Sequence, residues 1–179
     1  MRNPREIARR IIVLIGIFQA ATGREKTKVV KILKDNGFWS DVSDYEKKFL
    51  LSSNENNTHE IIQLSWRAEA IYILLWVLHE VEFAEIPGNE RNLDQIKNLL
   101  KEDEFYLEVD SKTAELRDPN EIHAMLDKIY QIHWEIRDAQ IHQKEIMVPY
   151  HPSIIQEWHH SLNWVVKSDE DWDYITTDT

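Results

Sequence analysis

Four ionisable side chains in otherwise apolar helical segments are the residues best placed to do chemistry. Arg67 and Glu69 fall in the apolar run from about 59 to 82, while His133 and Arg137 fall in the helical segment that follows Asp118. At about 100° per residue, Arg67, Glu69 and His133 point toward apolar neighbours, and Arg137 lies at the margin of the apolar face. An unpaired charge in such surroundings costs several kcal/mol, so each group requires a partner.

Two interpretations of this cluster are open. Glu69, Asp138 and Glu157 can supply the negative charges, but one dimension does not decide which acid meets which arginine. In the functional interpretation, a half-buried site uses His133 as acid or base and an arginine to hold an anion. In the structural interpretation, a satisfied network fixes the helix register without any substrate. We favour the structural interpretation, because buried ion pairs also occur in plain scaffolds.

Metal and cofactor chemistry is not indicated. Several histidines fall close together near the end of the chain, and Glu157 with His160 has the i, i+3 spacing of carboxylate-bridged di-metal bundles. Such a site needs a second Glu-x-x-His pair, and the sequence has neither that nor a His-Glu-x-x-His motif. Without cysteine, thiolate metal sites, disulfides and cysteine nucleophiles are excluded. We therefore predict no metal and no other cofactor.

Familiar catalytic and nucleotide-binding motifs are also missing. The sequence has no glycine-rich phosphate loop, no Gly-x-Ser-x-Gly elbow and no basic-aromatic RNA platform. The sequence alone does not decide whether the protein is an enzyme, but the absence of these motifs argues against it.

Helix-capping patterns locate the elements that position the polar residues. Asn or Asp followed by Pro begins helices at 4–21 and at 119 to about 142, and Ser43 with Glu46 brackets a capping box for a short helix through Leu51. Glycines at 23 and 37 can end the first helix and a second helix at 25–36. The remaining expectations are a polar loop at 52–58, a turn at 87–89, a helix at 92–101, an extended segment at 105–109 and a helix at 152–166.

The segment at 59–82 sets the predicted fold class. Apolar side chains lie on opposite sides of it, and a helix that is apolar all round is buried all round. With only 4 glycines and 5 prolines, the chain has little material for the turns of an all-β fold. We predict one compact all-α domain over 1–179, with a central helix at about 59–82 and the helices at 119–142 and 152–166 packed on it. The acidic tail at 167–179 is expected to dock on the body through Trp172, Tyr174 and Ile175.

Charge narrows the range of partners. The formal net charge is −11, which repels nucleic-acid phosphates and anionic lipid, so we predict no nucleic-acid or membrane partner. Residues 1–48 hold 11 Lys or Arg against 6 Asp or Glu, a net charge of +5, which leaves −16 for residues 49–179. Complementary faces within one fold are the favoured explanation, with a basic docking patch or head-to-tail self-association as alternatives.

The N-terminus has some features of a secretory signal. Four arginines precede the apolar run Ile11–Phe18. That run is too short to span a membrane, and the capped start at Pro4 favours an ordinary first helix. Because the absence of cysteine is compatible with a reducing compartment, we predict a cytoplasmic protein.

Three stretches of the sequence together resemble a bacterial family known as domain of unknown function 4272. The stretches are Ser65–Ala70 followed by Leu74–Trp76, then Ile132–Ala139, and finally Glu157 with Leu162–Trp164, Trp172–Asp173 and Thr177–Thr179. The resemblance implies a compact helical protein and brings no known activity. It marks as signature positions Trp66, Arg67, Glu69, His133, Trp134, Arg137, Asp138, Asn163 and Trp164.

Two positions depart from the family pattern. His79 stands where glycine is often found, and Trp158 stands where arginine is common after the glutamate. If the family uses that arginine to bind an anion, this chain is an atypical member.

Two functional hypotheses follow from these observations. The first is a non-enzymatic interaction module, of partner-binding or immunity type, whose acidic surface meets a protein with a basic surface. The second is an enzyme or a small-ligand or anion-binding protein that uses His133, Arg137, Arg67 and Glu69. The two hypotheses differ over whether those four side chains converge on a cavity reached by solvent. We favour the interaction module, because no motif commits the chain to a reaction.

Overall fold

A computed structural model of the chain describes residues 1–52, 58–82, 86, 88 and 115–179. Within these residues every regular element is helical, so the fold is all-α, as the sequence predicts. The predicted turn at 87–89 (Gly88 apart), the helix at 92–101 and the extended segment at 105–109 lie outside the described residues, as does most of the loop at 52–58.

The helices begin close to where their capping patterns place them. In chain order they are α1 Pro4–Ala21, α2 Lys26–Asp35, α3 Asp44–Leu51, α4 Thr58–Ser65, α5 Arg67–Val77, α6 Pro119–Ile141 and α7 Pro152–Val166, with 3₁₀ turns at Trp39–Asp41 and Trp172–Tyr174. Asn3 and Glu6 form the predicted capping box of α1, and Ser43 and Glu46 form that of α3. These reciprocal bonds satisfy backbone N–H groups that a helix start otherwise leaves free.

The segment predicted as one helix at 59–82 is two helices, broken at Trp66. The Ser65 hydroxyl donates to the Ile62 carbonyl at 2.7 Å, the acceptor that the Trp66 amide would use in a continuous helix. The Trp66 amide instead donates to the Gln63 carbonyl at 3.3 Å, which tightens the backbone into a turn. The second helix then ends at Val77, five residues before the predicted end.

A left-handed residue closes α1, α2, α5 and α6. These residues are Gly23, Gly37, His79 and Gln143, with φ values of 113°, 72°, 60° and 53°. After α5, the Glu80 amide donates to the Leu75 carbonyl at 2.9 Å, which is the long-range bond of a Schellman motif. The two glycine stops are as predicted. The motif also explains why the family pattern often has glycine where this chain has His79.

The helices pack in a fixed order around α5. Ten of the eleven residues of α5 are buried, because α1 covers one side of it and α7 covers the other. α6 packs against α7, while α2 and α3 pack on the side of α1. The Arg117 amide donates to the Val77 carbonyl at 2.9 Å and joins the start of α6 to the end of α5. Side chains of α5 and α7 therefore meet in the interior, where the polar residues of both must find partners.

We expect His79→Gly to raise the free energy of unfolding by about 0.5–1 kcal/mol, because glycine adopts a φ near 60° without the cost that a side chain incurs. Little is lost with the imidazole, since it is 48% exposed and lies 3.7 Å from Glu82 in a surface contact. Urea denaturation followed by circular dichroism measures the change. Gly37→Ala, at a similar φ, is the control and should lower stability; a loss of stability in both variants would contradict the assignment.

Candidate functional site

An ion pair between Arg67 and Glu157 joins α5 to α7. The Arg67 Nη1 group donates to both carboxylate oxygens of Glu157, at 2.7 and 2.9 Å. The two side chains are 16% and 13% exposed. Burial acts to lower the pKa of Arg67, but the carboxylates of Glu157 and Glu46 outweigh it and raise that pKa above its ordinary value. Of the acids that the sequence offers to Arg67, the structure selects Glu157.

This ion pair lines a cleft of about 460 Å³, which we call the Arg67 cleft. The cleft opens between α4, α5, α7 and the tail, and its other lining residues are Tyr45, Ile62, Gln63, Leu64, Trp66, Ser153, Gln156, His160, Ile175 and Thr177. The Trp66 ring stacks on His151 with 4.7 Å between centroids. His151 in turn accepts from the Ser153 amide at 3.2 Å and caps α7, so one residue both starts the helix and fixes the indole.

Glu69 lies two residues from Arg67 but does not share its site. Its side chain is 1% exposed, and its Oε2 accepts a hydrogen bond from the Trp158 indole at 3.3 Å. Trp158 occupies the position where the family pattern commonly has arginine. In this chain an uncharged indole therefore donates to Glu69 from the position where a guanidinium is common.

Arg10 and Glu46 form a second buried ion pair, which is not among the pairs predicted from the sequence. Both residues are buried, and the Arg10 guanidinium donates to both Glu46 oxygens and to the Asp41 carbonyl. Burial lowers the pKa of Arg10 despite the favourable charge of Glu46. The signal was present, because Arg10 lies between Ile7 and Leu14 on the buried stripe of α1.

Trp172 of the tail packs between these polar groups. Its ring lies 4.1 Å from the Arg10 guanidinium carbon and 5.7 Å from that of Arg67, and the edge of His160 meets it at 4.5 Å. His160 Nε2 contacts the Trp172 carbonyl at 3.1 Å. Burial lowers the pKa of His160 to about 3, and the nearby charges of Arg67 and Arg10 act in the same direction. The next residue, Asp173, accepts from the Tyr45 amide at 2.9 Å, where α3 begins.

His133 forms a pair with His159, a residue that is not among the predicted site residues. The two Nδ1 atoms are 2.9 Å apart, and the residues are 5% and 2% exposed. Burial lowers both pKa values, helped by Arg137 for His133 and by His133 for His159, whose pKa falls to about 4. One Nδ1 must donate while the other accepts, so at least one ring is neutral, and the lowered pKa values favour the neutral form of both. Because a low pKa makes a weak base, this geometry favours a structural role over acid–base catalysis.

His133 and Arg137 do border a cleft, of about 530 Å³, between α6, α7 and residues 177–179. Ser153, Gln156 and Thr177 line both this cleft and the Arg67 cleft, so the two adjoin. Arg137 itself is exposed, and its Nη1 donates to the Gln140 amide oxygen at 3.3 Å. The four catalytic candidates are therefore divided between two clefts and the interior, rather than brought to one point.

Arg137 also belongs to a set of large side chains on the outer face of α6. Tyr130, Trp134 and Ile141 are 44%, 51% and 67% exposed. Spacings of 4, 3 and 4 residues place Tyr130, Trp134, Arg137 and Ile141 within about 60° of arc on one side of the helix. We call these four residues the α6 stripe.

The remaining signature residues make contacts at the surface, with the tail and with the N-terminus. Asp138 pairs with His142 and Lys144 at 3.0 and 3.1 Å. Asn163 donates to the Thr176 carbonyl at 3.0 Å. Trp164 is 6% exposed, with the Arg2 guanidinium 4.2 Å from its ring centroid.

In the described residues no group of three or more His, Asp or Glu side chains is placed to hold a metal ion. Nor does any helix in those ranges have the length and apolar character to cross a membrane.

Comparison with known proteins identifies the family of the chain. The model of the family described as domain of unknown function (DUF4272) matches residues 1–175, a span that includes every site residue predicted from the sequence. No curated protein and no solved structure matches the chain.

We predict that His159 and His160 resist protonation in the folded protein. Their pKa values lie below the ordinary 6.5, so the stability they contribute is complete above pH 6.5 and is lost as the pH falls toward 4 and 3. Between about pH 7.5 and 5, their imidazole NMR signals should stay at neutral-form positions while the thermal midpoint falls. The control is the chain in urea, where all eight histidines should titrate near the ordinary value. A midpoint near 6.5 for either residue in the folded state would contradict this.

Proposed function

We propose, for a chain that belongs to the DUF4272 family, that its function is to bind a partner protein through the α6 stripe. The single observation that supports this most is the exposure of Tyr130, Trp134 and Ile141 side by side on one helix face. Single exposed apolar residues are normal on proteins, whereas contiguous ones mark interaction surfaces.

The residue types of the stripe suit a binding surface. Tyrosine, tryptophan and arginine supply most of the binding energy in protein interfaces, and the stripe contains one of each. Arg137 makes no ion pair with any described residue, so its charge is available to a partner. A partner with a groove for Trp134 and a carboxylate for Arg137 would match the two central residues.

The negative charge around the α6 stripe indicates which residues should border the groove of the partner. Residues 115–179 carry 13 Asp or Glu against 5 Lys or Arg, a net charge of −8. Asp127, which is exposed, lies beside the stripe on α6, and the exposed Glu135 lies about 100° further round the helix from Trp134. The proposed partner therefore has an apolar groove bordered by basic residues, and its association should be fast at low salt and slower as salt screens the charges.

The inner polar residues support binding rather than catalysis. His133 and His159 have lowered pKa values and contact each other, while Arg67 and Glu69 have separate partners. This arrangement suits a scaffold that holds α6 and α7 in register.

The lack of cysteine and the motif resemblance support a bacterial cytoplasmic location, which we include in the proposal.

We expect Trp134→Ala to weaken partner binding by about 30-fold or more, because truncating a central aromatic anchor typically costs at least about 2 kcal/mol. The fold should be unaffected, since half of the side chain is already in solvent. Quantitative affinity capture from cells that carry the gene, followed by titration of the purified partner, measures the loss.

Leu51→Ala is the matched control, because Leu51 is 64% exposed and lies on α3, away from the stripe. The proposal requires a protein retained by the unmodified chain and by Leu51→Ala, lost with Trp134→Ala, and released by added salt. Equal retention by both variants, or a concentration-dependent dimer of this chain that Trp134→Ala abolishes, would contradict it.

A further inference from the structure

The Arg67 guanidinium is only partly satisfied at the floor of its cleft. A guanidinium has five N–H donors, and both bonds to Glu157 leave from Nη1. The Nε atom is buried without a hydrogen-bond partner. Neither Nε nor Nη2 donates a hydrogen bond within the part of the chain that the structure describes. Because Nε is itself enclosed, Nη2 is the donor left for an incoming acceptor on a side chain that is 16% exposed.

The charge of the cleft determines which acceptor fits. Glu157, 2.7 Å from Arg67, cancels its positive charge, and no other residue that lines the cleft is an acid, a lysine or an arginine. An anion would meet a neutral site and would approach Glu157 at the cost of its own hydration. A neutral oxygen acceptor meets no such repulsion, and the carboxylate of Glu157 can at the same time accept a hydrogen bond from the same ligand.

The walls of the cleft suit a flat body with polar edges, because aromatic and aliphatic side chains stand within a mostly polar lining. Tyr45 and Trp66 supply aromatic surface, and the stack on His151 fixes the orientation of Trp66. Ile62 is 53% exposed and Ile175 is buried, so apolar surface continues from the rim to the interior. A volume of about 460 Å³ falls within the range of small-molecule sites.

From these contacts we infer that the Arg67 cleft binds a small, neutral, planar molecule with a carboxamide-like edge. Its carbonyl oxygen accepts from Nη2 of Arg67, and its N–H donates to Glu157. The inference is independent of the proposed protein partner, since no residue of the α6 stripe lines this cleft.

Benzamide is the probe, with benzoate and benzylamine as charged counterparts of the same shape. NMR titration of the Trp66 indole N–H and the Arg67 Nε–H should show saturable shifts with benzamide and at least about tenfold weaker binding of both charged probes. Tighter binding of benzoate than of benzamide would overturn the neutral-ligand inference, and non-saturable shifts with all three would overturn the site.

Arg67→Lys tests the role of the guanidinium. It keeps the charge opposite Glu157, and therefore the fold, but removes the forked donors, so benzamide should bind about tenfold more weakly. Arg5→Lys, the same exchange at an exposed residue of α1 that lines neither cleft, is the control and should leave binding unchanged. Should Arg67→Lys fail to fold, Ile62→Gln removes an exposed wall residue and should weaken benzamide about threefold or more. Unchanged affinity in the folded variant tested overturns the inference.

Discussion

The burial of α5 on all sides is the constraint from which the rest of the structure follows. A helix enclosed by α1 and α7 carries its polar side chains into the interior, where each needs a partner. Arg67 at its start finds Glu157 on α7, and Glu69 finds the indole of Trp158 one residue later on the same helix. Two adjacent residues of α7 thus fix its position and rotation against α5. Everything packed on α7, including α6 and the tail, takes its place from that register.

The tail connects this polar core to the N-terminal half of the chain. Trp172 lies against Arg10 and within 5.7 Å of the Arg67 guanidinium carbon, so one indole covers the junction of two ion pairs. Asp173 then caps the start of α3, whose Glu46 is the partner of Arg10. The net positive first 48 residues and the acidic tail meet here through specific contacts, in line with complementary faces within one fold. Ordering of residues 172–177 also shapes the wall of the Arg67 cleft.

Local patterns in the sequence predict the helices well, because caps act within a few residues. The starts at Pro4, Asp44 and Pro119 depend on an asparagine, serine or aspartate directly before them. The break at Trp66 escapes prediction, because it depends on a serine hydroxyl that competes for one carbonyl oxygen. The left-handed helix end at His79 was not predictable either. Glycine at this position would have indicated a positive φ, whereas histidine does not.

The burial of individual polar residues was predictable from the sequence, but their grouping was not. Helical periodicity correctly directs Arg67, Glu69 and His133 inward, yet pairing depends on which helices become neighbours. The His133–His159 contact and the Arg10–Glu46 pair span 26 and 36 positions of the chain, and no spacing rule connects residues so far apart. The α6 stripe shows the opposite, because its apolar residues are exposed rather than buried. Its aromatic residues suggest a core by type, but among the described helices α6 packs mainly on α7, and this leaves them in solvent.

A double-mutant cycle on the α5–α7 ion pair tests the central claim most directly. The free energy of unfolding would be measured in urea for Arg67→Met, Glu157→Leu and the combined variant. Each single change leaves a charge buried without its partner, so the account predicts that each costs about 3 kcal/mol or more, while the combined variant costs less than their sum by about 1–3 kcal/mol. Losses that simply add, each within about 0.5 kcal/mol of the original chain, would mean that water bathes both groups and that the pair does not set the register of α7.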